Sequence, residues 1–196
     1  MSDTRLTGGT IDTQPRGSAR ERYARAPTRI VAVMPAYNAQ EMRASVVHGL
    51  TGRVDLVLVV NDGSTDATAE VARTAGACVV EHAENRGLGC ALRTGFDAAL
   101  DAGADLIVTL DADGQHSPDD VGRVISRLIA NHCDVVIGSR LTDHSQWERF
   151  PPLRLLGNLL LTWLTNAAAG AKVTTDSQSG YRAFTRPALE NVELRS

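Results

Sequence analysis

Continuous apolar runs alternate with amphipathic stretches between residues 29 and 139, and the runs end in turn-forming polar residues. RIVAVMP (29–35), VDLVLVV (54–60), ACVVEH (77–82), DLIVTL (105–110) and DVVIGS (134–139) are rich in β-branched residues and barely alternate. That is the pattern of strands buried on both faces. The intervening stretches have helical spacing and predict helices over 39–50, 66–76, 88–103 and 117–132. Ser64 or Thr65 is placed to cap the second of these, and Gly76 stands where a helix end favours a left-handed residue. The fourth opens with Ser117 as cap, Pro118 at the first helical position and Asp119 and Asp120 in the first turn. Strands and helices in this alternation predict right-handed βαβ crossovers. The expected fold is α/β, with a mostly parallel central sheet and helices on both faces. Ligands of such sheets bind beyond the carboxyl ends of the strands, which singles out the loops PAYN, NDGSTD, ENRG, DADGQH and GSR.

The stretch PPLRLLGNLLLTWLTNAAAG (151–170) is different in kind. Arg154, Asn158, Thr162 and Asn166 recur every four residues, so they share one helical face, and the remainder is Leu, Trp and Ala. With a polar stripe this is a poor membrane-spanning helix. Two readings stand: a buried core helix, or a helix that offers apolar surface to a lipid while turning Arg154 and Asn158 towards a polar site.

At 196 residues the chain is long enough for one domain, expected over 29–196. Residues 1–28 are polar and Arg-rich, which predicts a flexible tail and shows no apolar signal segment. A net charge of -3 and only 4% aromatic residues argue against nucleic-acid binding. Cys78, Cys90 and Cys133 are odd in number and form no CxxC pair, which disfavours a disulfide framework or a zinc site. The expectation is a cytoplasmic protein, peripheral at most on the cytosolic face of a membrane.

The candidate chemistry centres on VTLDADGQHSP (108–118). In extended backbone, residues two apart point the same way, so Asp111 and Asp113 can converge. Two adjacent carboxylates repel unless a cation lies between them, and Gln115 is spaced to add a neutral oxygen. An oxygen donor set of this kind suits Mg²⁺ or Mn²⁺, although a solvated Asp-Gly turn would use the same residues. Asp62 stands at the end of the second strand, where a carboxylate could meet a base or ribose. NRGLGCALRTG holds only a fragment of a glycine-rich fingerprint, so it does not read as a dinucleotide site. It still allows Arg86 to reach a ligand and Gly87 to admit one close to the backbone. LDADGQ also resembles the strand-ending motif of haloacid-dehalogenase-type phosphatases. That family carries it on its first strand followed by Thr or Val, whereas here it follows the fourth and precedes Gln115.

Taken in order, PAYN, VNDGSTD, NRGLGCALRTG, LDADGQH, GSR and DSQSGYRAF resemble a family 2 glycosyltransferase. More narrowly, over about residues 29–190, the chain resembles dolichol-phosphate mannosyltransferases and their polyprenyl-phosphate relatives. The resemblance implies a GT-A nucleotide-diphospho-sugar-binding fold and inverting transfer of a hexose. The donor would be GDP-mannose or a UDP-sugar and the acceptor a polyprenyl phosphate at a membrane surface. It implies that Pro35, Ala36, Tyr37, Asp62, Arg86, Gly87, Asp111, Ala112 and Arg182 bind the nucleotide sugar. Asp111, Asp113 and Gln115 would hold Mg²⁺ or Mn²⁺ against the diphosphate. Asp113, Arg140, Arg154 and Asp176 would be catalytic, with the two guanidinium groups on the phosphates and Ser179 matching more loosely. A lipid monophosphate is already anionic and needs no base. A sugar or protein hydroxyl would need one, and Asp176 is the candidate. Two departures from the family pattern are Ala39-Gln40-Glu41 after PAYN, in place of an immediate acidic residue, and an end at ENVELRS where members continue with a further helix and strand. A non-catalytic nucleotide-sugar-binding module is the alternative from another class.

Overall fold

Val31, Ala32, Val33 and Met34 are all 0% exposed, so the first strand must be covered on both faces and paired on both edges. The computed structural model describes residues 28–41, 44–112, 117–139, 152–170 and 174–191, without the side chains of 152–156 and 169; the expected tail lies outside them up to residue 27. β1 (Ile30–Ala36) pairs in parallel with β2 (Leu56–Asn61) on one side and with β4 (Leu106–Thr109) on the other. β3 (Cys78–Glu81) continues the parallel set beyond β2. The sheet has six strands in the order β3-β2-β1-β4-β6-β5, where β5 is Val135–Ile137 and β6 is Arg182–Thr185.

β6 runs antiparallel between β4 and β5, so the sheet is mostly parallel with one reversed strand. Its four residues, RAFT, carry too little apolar signal to read as a strand. Tertiary pairing makes them one.

The helices are α1 (Ala44–Leu50), α2 (Thr68–Thr74), α3 (Leu88–Asp101), α4 (Val121–Ala130), α5 (Pro152–Ala169) and α6 (Arg186–Glu190), with a 3₁₀ turn at Pro118–Asp120. The alternation of strand side chains divides the core. Ala32, Met34 and Val59 face Val46, Val47 and Leu50 of α1 and Val124 and Leu128 of α4. Val31, Val33 and Leu58 face Phe96 and Ala99 of α3. Phe96 also meets Phe184 of β6 edge to face, centroids 5.3 Å apart, which ties the reversed strand to α3.

Two sequence expectations at helix starts are corrected. The first helix begins at Ala44, not 39, because Ala39 N–H donates to Thr68 Oγ1 (2.8 Å) and Gln40 N–H to Asp66 Oδ2 (3.1 Å). Neither Ser64 nor Thr65 caps α2, whose N-cap is Ala67. Ser64 Oγ instead accepts Asn38 N–H at 2.9 Å, and Asp66 Oδ1 accepts Thr68 N–H at 3.0 Å. The polar side chains of 64–68 are spent on sewing the loop after β1 to the loop after β2. Ser117 does take the expected cap position, accepting Asp119 N–H at 3.3 Å.

α3 approaches the sheet through Gly95, where an added Cβ would overlap Val33 Cγ1 and lie 3.2 Å from Val60 Cγ2. Gly122, on the exposed side of α4, has open space at the same position. Gly95→Val should therefore destabilise by about 1–3 kcal/mol through overpacking. Gly122→Ala should stabilise by about 0.5–1 kcal/mol through helix propensity. Urea denaturation of the two variants measures both, and equal effects would contradict this packing.

Candidate active site

A cavity of about 630 Å³ opens at the carboxyl ends of β1 and β4, neighbours at the centre of the strand order. Pro35, Thr109, Leu110 and Asp111 border it from the sheet and Leu88, Leu92 and Phe96 from α3. Ser177–Gly180 and Arg182 close the far side. The lining thus combines apolar side chains with a carboxylate, Asp111, and a guanidinium, Arg182, the mixture expected of a small-molecule site.

Asp111 follows directly on β4 and is half-buried. Its carboxylate lies against Gly180, where a Cβ would overlap both oxygens, and Thr109 Oγ1 donates to the Gly180 carbonyl at 2.7 Å. A side chain at residue 180 would therefore take the space that Asp111 occupies. Ala112 is buried, while Asp113 and Gln115 lie outside the described residues. Among the described residues no three His, Cys, Asp or Glu groups cluster around one point. The fit to a hard divalent cation rests on Asp111, an oxygen donor held at the cavity wall beside a residue without a side chain.

Asp62 is 3% exposed. Its Oδ1 accepts Arg86 N–H at 3.0 Å and lies 2.6 Å from His82 Nδ1, and its Oδ2 accepts Gly87 N–H at 2.8 Å. Burial raises its pKa, but the Arg86 N–H, the His82 ring and the Gly87 N–H together outweigh this and hold it below the ordinary value. The carboxylate stays ionised, and three of its roughly four acceptor positions are used within the protein. Asp62 therefore holds the 82–87 loop. The Arg86 side chain above that loop is exposed, as is Tyr37, while the Ala36 carbonyl accepts Asp62 N–H at 2.8 Å.

Asp176 is 0% exposed, accepts Asn158 Nδ2–H at 2.9 Å on Oδ1, and donates its own N–H to Thr174 Oγ1 at 3.1 Å. Further along α5, Thr162 Oγ1 accepts Ser177 N–H at 3.1 Å. Asn166 pairs with the Thr174 backbone twice, at 2.9 and 3.1 Å. The polar stripe thus clamps residues 174–177, whose successors line the cavity. Arg182 donates to the Ser179 and Ser177 carbonyls at 2.9 and 3.2 Å, and Ser179 Oγ donates to the Gly138 carbonyl at 2.5 Å. The opposite side of α5 is open: Leu160 is 55% and Trp163 64% exposed. Of the two readings of this helix, the buried core helix is corrected, because Leu160, Trp163 and Leu164 stay exposed while Asn158 and Thr162 are buried. Arg140 and the Arg154 side chain lie outside the described residues.

The structure gathers Pro35, Asp111 and Arg182 around one cavity, with Asp176 one residue behind its wall. Sequence reading missed His82, Thr94 and Gly180. For His82 the available signal was a polar residue closing the strand run ACVVE, two positions before the ENRG loop.

The profile described as glycosyl transferase family 2 matches residues 31–193. An uncharacterized protein of Methanocaldococcus jannaschii is 40% identical over 164 residues, 83% of this chain and 67% of that one. The UDP-N-acetylglucosamine–dolichyl-phosphate N-acetylglucosaminyltransferase of Methanococcus voltae is 36% identical over 179 residues, covering 82% and 71%. The polyprenol monophosphomannose synthase of Mycolicibacterium smegmatis is 31% identical, covering 85% and 65%. Among solved structures, glucosyl-3-phosphoglycerate synthase from Mycobacterium tuberculosis with Mn²⁺ and UDP-glucose superposes with a TM-score of 0.68 at 22% identity. It covers 91% of this chain and 64% of that one. This likeness is one of fold, the GT-A arrangement expected from the sequence.

Because Asp62 has a lowered folded pKa, its stabilising effect is complete above the ordinary carboxylate range and is lost as pH falls through the folded value. Asp62→Asn should cost on the order of 2 kcal/mol at neutral pH. The gap in melting temperature between it and the wild type should close in strong acid. A gap independent of pH would show that the ionised carboxylate is not what holds the loop.

Proposed function

Because the chain belongs to glycosyl transferase family 2, we propose that it transfers a hexose, with inversion, from GDP-mannose or a UDP-sugar to a polyprenyl phosphate such as dolichyl phosphate. The observation that carries the acceptor class is α5. One face is tied by Asn158, Thr162 and Asn166 to the segment that leads into the cavity, and the other presents Leu160, Trp163 and Leu164 to the surroundings. From residue 155 to 170 the chain has no charged residue. Such a helix suits an enzyme that lies on a bilayer and draws a lipid phosphate to its polar side. The names of the Methanococcus voltae and Mycolicibacterium smegmatis relatives support the same class. Among the described residues no helix is long and apolar enough to cross a membrane.

In this reading the sugar nucleotide lies across the ends of β1 and β4, with its base and ribose near Pro35, Ala36, Tyr37 and the Asp62-held loop bearing Arg86 and Gly87. Its diphosphate is directed to Asp111, Ala112 and Arg182. Asp111, Asp113 and Gln115 would hold Mg²⁺ or Mn²⁺, which when bound neutralises charge on the departing nucleoside diphosphate. A phosphate oxygen of the acceptor attacks the anomeric carbon from the opposite side. The bond to the diphosphate breaks, and its electron pair leaves with the nucleotide. No proton is transferred, because the phosphate monoester is already anionic. Arg140 and Arg154 meet the phosphates through paired N–H donors. Asp176, fully buried and bonded to Asn158, orients the acceptor side and takes no proton.

Thermal unfolding with UDP or GDP, each with and without Mn²⁺, tests the donor half. One nucleotide at a hundredfold excess over its Kd should stabilise the protein by about 2.7 kcal/mol. The shift should require Mn²⁺, vanish in Asp111→Asn and weaken in Gly180→Ala. No shift with either nucleotide would reject the reading.

Radiolabelled sugar transfer to polyprenyl phosphate in anionic vesicles tests the acceptor half. Arg154→Ala should abolish it, and Trp163→Asp should reduce it by about tenfold or more while leaving the nucleotide shift unchanged. Transfer lost in Asp176→Asn yet intact in Arg154→Ala would favour a hydroxyl acceptor. Nucleotide binding without transfer to any acceptor would favour a non-catalytic module.

A further inference from the structure

His82 closes β3, and its N–H donates to the Asn61 carbonyl at 2.9 Å, so its backbone belongs to the sheet. Its side chain is only 6% exposed. It spans two elements: Nδ1 lies 2.6 Å from Asp62 Oδ1 and Nε2 lies 2.9 Å from Thr94 Oγ1 on α3. With Asp62 ionised, Nδ1–H is the donor to it, and the Thr94 hydroxyl satisfies the second ring nitrogen. The imidazole is thus held from both ends and has one orientation.

Asp62 passes that orientation on. Its two oxygens hold the consecutive N–H groups of Arg86 and Gly87, and Gly87, at φ 88°, is the N-cap of α3. The next two residues, Leu88 and Gly89, border the cavity. The turn after β2 is also pressed against this loop, since a Cβ at Gly63 would overlap the backbone of Glu84 and Asn85. The loop therefore has an inner side fixed by Thr94, His82 and Asp62, and an outer side that presents the exposed Arg86 side chain.

We propose that His82 is a positioning residue for donor binding: anchored by Thr94, it locks the Asp62 carboxylate, which sets the Arg86–Gly87 loop and the start of α3 at the cavity. It touches neither donor nor acceptor. This inference rests on the nucleotide-sugar reading for what the loop binds, but the lock itself is a property of the unliganded protein. Loss of the imidazole removes one of the three donors and leaves the carboxylate held by the Arg86 and Gly87 amides alone, which loosens both. The donor then has to order the loop as it binds, so its KM rises while kcat at saturation is retained.

The test has two readouts on the full chain. In amide hydrogen exchange without ligand, His82→Ala should speed exchange at Arg86 and Gly87 by about tenfold or more, the scale of one charge-assisted hydrogen bond. Val33 and Val59 should stay protected. His82→Asn, whose amide N–H can replace Nδ1–H, should restore the slow rate. In titration with UDP and Mn²⁺ and with GDP and Mn²⁺, His82→Ala should weaken whichever nucleotide the wild type binds by about tenfold, with the Asn variant again restoring it. Unchanged exchange at Arg86 and Gly87 in His82→Ala overturns the lock. Faster exchange with unchanged nucleotide affinity overturns the role in donor binding. If the wild type binds neither nucleotide, the proposed function fails and the role in donor binding with it, while the exchange data still decide the lock. If Val33 and Val59 also exchange faster in His82→Ala, Thr94→Val decides: it removes only the anchor on His82 Nε2, and no change at Arg86 and Gly87 in that variant overturns the proposal.

Discussion

A carboxylate that is almost wholly removed from water has to find donors inside the protein or lose its charge, and Asp62 finds them in three places at once. The donors are two backbone N–H groups of the loop after β3 and the ring of His82 at the end of β3. The carboxylate itself hangs from the end of β2. One buried charge thereby fixes the distance between two strand ends and the entry to α3. The apolar walls of the cavity, Leu88, Leu92 and Phe96, are carried on that same helix. The placement of the site against the sheet follows from this electrostatic requirement as much as from packing.

A similar need for polar partners decides the orientation of α5. Asn158 and Thr162 are buried, each only 7% exposed, and such groups are costly to bury unless hydrogen-bonded. The backbone and side chains of Thr174, Asp176 and Ser177 meet that need, so the stripe turns inward. Leucines and a tryptophan are left on the other side. Exposed apolar surface on this scale usually marks an interaction surface. Here it lies on the helix that also secures the wall of the cavity. The exposed apolar face and the wall of the cavity are then mechanically one piece.

The reversed strand β6 joins these two halves. It lies between β4 and β5, its Phe184 packs on Phe96, and the residue before it in the cavity wall, Gly180, leaves room for the Asp111 carboxylate. Thr109 of β4 and Gly180 share a hydrogen bond across that boundary. The geometry of the carboxylate most suited to a divalent cation therefore depends on a segment some seventy residues away.

The strands β1 to β5, the helices between them and the α/β class were legible in the sequence, because buried parallel strands and amphipathic helices have different apolar periods. The polar stripe of α5 and the loops at the strand ends were legible for the same reason. Local order alone determined which residues face which way along each element. It could not determine β6, whose four residues become a strand only by pairing with β4 and β5. Nor could it determine that Ser64 serves Asn38 in place of a helix cap, that α5 turns its leucines outward, or that His82 and Thr94 meet Asp62. Those outcomes depend on residues from 12 (His82 and Thr94) to 79 (Leu106 and Thr185) positions apart, and on which hydrogen-bond partners a buried polar group finds once the sheet has brought the strand ends together.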